Sequence, residues 1–150
     1  MRAVIQRVSK AVVSSEKGIL ASAGNGLVVL AGIGEDDSLK DIEWLSNKIV
    51  QLRIFDDHKG VMNLSILDTG GDIIVVSQFT LHAKTKKGNR PSYIKAARPE
   101  IAIPLYEKFV SRLSELLGKE VGSGEFGAMM TVEIHNDGPV TIIIDTRNKE

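Results

Sequence analysis

Apolar and polar residues trade places from the start of the chain, in RAVIQRVSKAVV, Arg2 to Val13. Partial alternation with valine and isoleucine predicts a strand with one buried face. A turn over Ser14–Gly18 and a short return strand over Ile19–Ala23 follow. GLVVLAGI, Gly26–Ile33, is apolar at nearly every position, as in a strand covered on both faces. The period then changes: Leu39, Ile42, Leu45, Ile49 and Leu52 recur at helical spacing behind Asp36-Asp37-Ser38, which can cap the first turn. Met62–Gly71 has no period and reads as irregular. Asp72–Thr80, DIIVVSQFT, predicts a further strand. A second helix is predicted from Pro99, with Ile101, Leu105, Phe109, Leu113 and Leu116 on one face and a stop at Gly118. Val121–Asp145 returns to strands.

No repeat, low-complexity tract or linker interrupts this order, and 150 residues suffice for one real core. The prediction is a single β-rich α/β domain over residues 1–150, with a curved or barrel-like antiparallel/mixed sheet and two main helices. A dinucleotide-binding fold is excluded because no Gly-x-Gly-x-x-Gly opens a helix after a strand.

Composition narrows the chemistry. There is no cysteine, so disulfides and thiolate sites are absent. His58, His82 and His135 are far apart, without ligand spacing, and neither a metal nor an organic cofactor is expected. No uninterrupted apolar stretch could span a membrane, so the chain reads as cytoplasmic with no membrane partner. Nineteen basic residues balance nineteen acidic ones, which makes no global case for DNA. The distribution is uneven, however. KTKKGNRPSYIKAAR, Lys84 to Arg98, holds six basic residues and no acidic one, leaving 13 basic against 19 acidic elsewhere. Such a segment is either a solvated loop or a surface for a polyanion that touches one place.

Three stretches could carry chemistry. In IIVVSQFTL, Ile73–Leu81, a buried strand runs into Ser77, Gln78 and Thr80, polar groups that either cap the strand or present hydroxyls and an amide to a ligand. Were the strand to continue, Thr80 and His82 would share a side and could form a hydroxyl–histidine pair, though no nearby carboxylate would orient the imidazole. In GEFGAMMTVEI, Gly124–Ile134, the soft apolar residues Phe126, Met129 and Met130 are either core or a surface for a base. In HNDGPVTIII, His135–Ile144, Gly138-Pro139 breaks a strand, as a hairpin corner or as a device that presents backbone carbonyls.

Together with MRAVIQRV, LRIFDD (Leu52–Asp57) and KGNRPSY (Lys87–Tyr93), the motifs SQFTL and NDGPVT resemble the D-aminoacyl-tRNA deacylases nearly end to end and in order. The resemblance implies hydrolysis of the ester joining a D-amino acid, or glycine, to the 3′ end of tRNA. It also implies a homodimer with the active site at the subunit interface. By the match, Gly138 and Pro139 form a cis motif that one subunit inserts into its partner's site as the chiral selector, and Arg7 holds that motif. Ser77, Gln78, Phe79 and Thr80 line the catalytic pocket. Phe126, Met129 and Met130 fall to substrate binding, Phe126 and Met130 at the terminal adenosine, and the basic loop assigns Lys84, Lys86, Lys87 and Arg90 to tRNA contact. Catalysis in the family is thought to use the ribose 2′-OH, with backbone N–H groups near Phe79 and Thr80 stabilising the oxyanion. The alternatives are an esterase with Thr80 as nucleophile and a non-catalytic RNA-binding dimer. The chain departs from the family's usual Tyr and Asp at His82 and Lys84.

Overall fold

A computed structural model describes residues 1–150. Its longest early element is β1 (Arg2–Ser15), which borders three other strands. Along one edge, its first half pairs antiparallel with β3 (Gly26–Gly32), from Arg2↔Gly32 to Val8↔Gly26. Its second half turns instead to β2 (Gly18–Ala23), from Ala11↔Ala23 to Ser15↔Gly18. The other edge of β1 carries β8 (Thr131–Asp145), again antiparallel. Beyond β3 lie β6 (Asp72–Ser77) and β7 (Gly122–Ser123), both added in parallel. A separate hairpin is formed by β4 (Phe55–Asp56) and β5 (Met62–Leu64).

Because β1 changes neighbours along one edge, the sheet bends until β7 meets β2, and a Cβ on Gly122 would lie 3.0 Å from the Ala21 methyl. The barrel-like mixed sheet expected from the pattern is therefore present. Its curl creates two cores. One lies inside the bend, where Val8, Ala11, Val13, Val28, Ile74 and Val76 meet. The other lies outside, where Ile5, Leu27, Val29, Ile73 and Val75 face the helices α1 (Leu39–Gln51) and α3 (Pro99–Leu117). Alternate residues of β3 and β6 thus go to opposite cores, which is why both strands read as unbroken apolar runs. The β3–β6 approach is close: a Cβ on Gly26 would run into the backbone of Asp72.

The helices follow their signals. Ser38 opens α1, with its N–H bonded to the Asp41 carboxylate at 2.9 Å. Ile42, Leu45 and Ile49 are buried, whereas the first periodic residue, Leu39, is 62% exposed. Pro99 starts α3, and Gly118, at φ 75°, closes it in the left-handed conformation that glycine tolerates. The buried face of α3 is rotated from the predicted one, to Ala102, Tyr106, Phe109 and Leu113. Tyr106 sits in this face because its hydroxyl donates to the Val75 carbonyl at 2.8 Å. Burial pushes that phenol up to about 12, so it stays a neutral donor.

Two expectations need correction. Met62–Gly71 is not irregular: β5 leads into α2 (Ile66–Thr69), where Asp68 accepts the Ser65 N–H at 2.8 Å. A helix of four residues is too short to show a period. The strand predicted to reach Thr80 ends at Ser77. Its neighbour β3 stops at Gly32, so once Gln78 N has bonded Ala31 O at 2.8 Å the backbone lacks a ladder partner. It satisfies itself locally in a 3₁₀ turn, Phe79–His82.

The two ends of helical burial give a direct test. Phe109→Ala should lower unfolding free energy by about 3–5 kcal/mol, and Leu39→Ala by less than about 0.5. Urea denaturation followed by circular dichroism measures both; equal losses would contradict the assigned packing.

Candidate active site

The end of β6 and the turn after it gather the SQFT residues. Ser77 and Gln78 are half-buried, Thr80 is half-buried and Phe79 is 53% exposed. The turn is tied down by Leu81 N to Gln78 O (3.2 Å), Ala83 N to Thr80 O (3.0 Å) and Arg2 Nη1 to Leu81 O (3.0 Å). Its two leading N–H groups, on Phe79 and Thr80, have no acceptor within the chain. The Thr80 hydroxyl accepts from Gln78 Nε2 at 2.6 Å. An amide cannot remove its proton, and no carboxylate or imidazole touches it.

The Thr80–His82 pair that an extended strand would allow is not formed. In a 3₁₀ turn successive side chains are about 120° apart, so residues two apart diverge. His82 points inward, 9% exposed, with its ring against Gly32 and Gly34. Burial, assisted by the positive charges of Arg2 and the N-terminus, holds its pKa below the ordinary imidazole value.

The basic segment hangs over this turn. Lys84 and Ser92 exchange backbone hydrogen bonds (2.8 and 3.1 Å), closing a loop that holds Lys86, Lys87 and Arg90. All four of these cations, Lys84 included, are exposed. Only Arg98 of the segment has a carboxylate partner, Glu35 at 3.3 Å. Tyr93, which residue patterns did not single out, sets its ring edge-on to Phe79 with centroids 5.0 Å apart. An aromatic residue in a cationic run was the available signal.

The Gly-Pro break is not a hairpin corner, because β8 continues in one direction along β1. Gln6 pairs with Thr141 and Val8 with Asn136, so Asp137, Gly138, Pro139 and Val140 all stand opposite Arg7. Val140 turns into the core while Gly138 and Pro139 are exposed, and the bond between them is cis. Arg7 is 7% exposed and fills the gap. It donates through Nε to Asp137 O (3.1 Å) and through Nη1 to Ile54 O (2.7 Å), and forms an ion pair with Asp137 Oδ2 (3.0 Å). A cleft of about 270 Å³ opens beside it, lined by Asn25, Phe55, Asp56 and Thr69 among others.

These two loci are apart within one chain. Ser77 aligns with Ala31 and, across β3, with Ala3, whereas the break lies at Arg7 and one strand further over. Four residues along and three strands across amount to roughly 20 Å over the sheet. The apolar trio is also divided: Phe126 packs on Tyr106 (centroids 6.0 Å) and Met130 on the inner core, while Met129 is 91% exposed. No three histidine or acidic residues converge as metal ligands, and no helix is long and apolar enough to cross a membrane.

A strand-rich α/β fold with a curled sheet, a base-free hydroxyl beside free N–H groups and a looped-out Gly-Pro now has relatives to be set against. The family model described as D-Tyr-tRNA(Tyr) deacylase matches residues 4–145. Curated proteins named D-aminoacyl-tRNA deacylase from Bacteroides thetaiotaomicron and Bacteroides fragilis are 64% and 65% identical over 150 residues, covering 100% of both chains. A solved structure named c-Myc DNA Unwinding Element Binding Protein is 38% identical, with a TM-score of 0.90 over 97% of this chain and 99% of that one. A structure described as a probable eukaryotic D-amino acid tRNA deacylase shares the fold, at 17% identity and a TM-score of 0.83, over 95% of this chain and 97% of that one. The chain belongs to the D-Tyr-tRNA deacylase family.

Arg7→Met should cost about 2–4 kcal/mol, because the Ile54 and Asp137 carbonyls lose their charged donor. Asp56→Asn, at a half-exposed carboxylate 3.3 Å from Arg7, should cost less than about 1. Chemical denaturation of both variants decides; a larger loss at Asp56 would misassign the bridge.

Proposed function

We propose that this protein hydrolyses the ester joining a D-amino acid to the 3′ end of tRNA in the cytoplasm, and the same ester of glycyl-tRNA. The observation that carries the reading is the pair of unpaired N–H groups at Phe79 and Thr80, in a chain that matches curated deacylases over its whole length. Water adds to the ester carbonyl, the oxyanion accepts from those N–H groups, and the C–O bond to the ribose breaks, with a proton of the attacking water going to the 3′ oxygen. The vicinal 2′-OH of the ribose assists the attack. Thr80 is bonded to Gln78 and has no base, so it serves the geometry of the turn and not as a nucleophile.

Selection falls to Gly138-Pro139. A filter of main chain rejects an L-side chain by collision while leaving a D-side chain, or none, unopposed. The roughly 20 Å over the sheet between this motif and Ser77 at the end of β6 within a chain supports a two-subunit site, in which each protomer lends its motif to the other's turn. The unpaired cations Lys84, Lys86, Lys87 and Arg90 suit the phosphates of the acceptor end. Phe126, Met129 and Met130 are proposed to border the terminal adenosine, with Met129 offering the free surface.

Purified protein should release D-tyrosine from D-tyrosyl-tRNA while leaving L-tyrosyl-tRNA intact in a paired time course. Equal hydrolysis would refute the Gly-Pro filter. Hydrolysis of neither would favour a nucleic-acid-binding role, of the kind the 38%-identical structure is named for. Thr80→Ala should keep activity within about tenfold, since no proton transfer passes through it; complete loss would restore Thr80 as nucleophile. Lys86→Ala with Lys87→Ala should raise KM and flatten the dependence of log KM on log salt by about one per charge removed, as phosphate contacts require. An unchanged salt slope would remove the loop from the tRNA surface.

A further inference from the structure

His82 ends the turn that carries Phe79 and Thr80, and is the only buried side chain in it. The chain leaving β3 is cut away to receive it. A Cβ on Gly32 would stand 3.2 Å from His82 Cδ2 and 2.9 Å from the Gln78 carbonyl, and one on Gly34 would stand 3.4 Å from His82 Cε1. The two glycines therefore make room for the imidazole and for the turn above it. His82 Nε2 is beneath the surface without a hydrogen-bond partner.

The charges around the ring come from every neighbouring element. From β1 comes Arg2, whose guanidinium also holds the Leu81 carbonyl of the turn, at 3.0 Å. The N-terminal ammonium lies close by and is bonded to Asp37 (2.6 Å) and Thr146 (2.8 Å). Asp37 is thus already engaged, and its other oxygen accepts the Gly34 N–H at 2.7 Å. Glu35, Asp36, Lys95, Asp145 and Arg147 complete the walls of the same cleft, about 440 Å³ in volume. Asp145 is bonded to Arg2 at 2.8 Å, and Arg147 pairs with Asp37 at 3.4 Å. Of these carboxylates only Asp36 has no cation partner, and it is exposed to solvent; Asp37, the one whose charge favours a protonated ring, is already engaged.

We propose that the neutral His82 imidazole is a positioning residue, the anchor that holds the Phe79 and Thr80 N–H donors in place, and that adding a proton to it unseats the turn and stops catalysis. The inference rests on the assignment of those donors to the oxyanion. Burial disfavours the imidazolium, and although the Gly32 carbonyl can accept from the ring, Nε2 has no acceptor and Arg2 and the ammonium add repulsion. Carrying it to water means lifting the turn, whose remaining fastenings are few: Gln78 to Ala31, Arg2 to Leu81, and the Tyr93 ring against Phe79. A displacement of 1 Å at oriented catalytic groups can cost about 100-fold in rate. The sign follows from the lowered pKa. The fold favours the neutral ring, so its contribution is complete above the ordinary value of about 6.5 and is lost as pH falls below that and through the folded value.

The test is kcat/KM on D-tyrosyl-tRNA from pH 5 to 8.5 for wild type, His82→Phe and His82→Gln. The ratio of wild type to variant is taken at each pH, which cancels titration of the substrate's own ammonium. The ratio should be constant above pH 7, whatever its level, and fall as pH drops through the folded pKa, by about tenfold one pH unit below it. In parallel, NMR of unliganded wild type should show the His82 ring and the Phe79 amide shifting on one titration curve, below the ordinary imidazole range. A flat ratio, or a Phe79 amide indifferent to His82, overturns the proposal. Should His82→Phe not fold, His82→Gln supplies the ratio, and the NMR titration needs neither. Deacylation absent at every pH would count against the deacylase reading itself, while the coupled His82–Phe79 titration still decides the anchor.

Discussion

Strand β1 borders more of this molecule than any other element, and it does so unevenly. One edge is divided between β3 and β2, and the other is given whole to β8. The division bends the sheet and separates the inner core from the helical one. It also fixes where each candidate segment emerges. The parallel ladder from β3 to β6 runs out where β3 ends, and the SQFT turn begins at that point. On the opposite edge, the β8 ladder skips four residues against one, and those four contain Gly138-Pro139. Both candidate segments are therefore failures of pairing on the same frame, at opposite corners of it.

Each failure is stabilised by a cation from β1 that binds carbonyl oxygens. Arg2 reaches the Leu81 carbonyl behind the turn, and Arg7 the Asp137 carbonyl behind the Gly-Pro loop. A guanidinium suits this work because its donors are rigidly splayed, always charged, and able to serve several acceptors at once. Arg7 is the more deeply committed of the two, since it also holds Ile54 at the entry to the β4–β5 hairpin. The opening octapeptide MRAVIQRV is thus both a strand and a pair of fasteners. Its alternation carries the strand, and its arginines carry the sites.

Legibility in the residue pattern follows from how each part is encoded. The apolar faces of β1, β3, β6, α1 and α3 are set by side-chain burial, which periodicity reports directly. What depends on where a neighbour ends is not written locally. DIIVVSQFT has the composition of a strand throughout, and only the length of β3 stops it at Ser77. The same distance effect hid the inward turn of His82, which an extended reading places beside Thr80. Phe126 and Met130 share their motif with Met129, yet only the last faces water, because α3 and the inner core claim the other two. The motifs SQFTL and NDGPVT coincide with the two places where the ladders break off. They could not show the distance between them.

The candidate site is made largely of main chain, and this accounts for the weakness of any triad signal. Free N–H groups at Phe79 and Thr80 are available to any sequence that makes the turn, provided its other face can be buried. Side chains here fasten the turn: Gln78 holds Thr80, Arg2 holds Leu81, and Gly32 and Gly34 admit His82. The proposed deacylation asks the protein for a positioned oxyanion partner and for no nucleophile of its own. Under that arrangement chemistry and selectivity are vulnerable at different places. Substituting an exposed side chain near the turn leaves the donors where they are, whereas anything that fills the glycine notch or loosens the two arginines moves the backbone itself. The residues that hold the candidate site in shape are therefore largely buried ones, Arg7 and His82 among them.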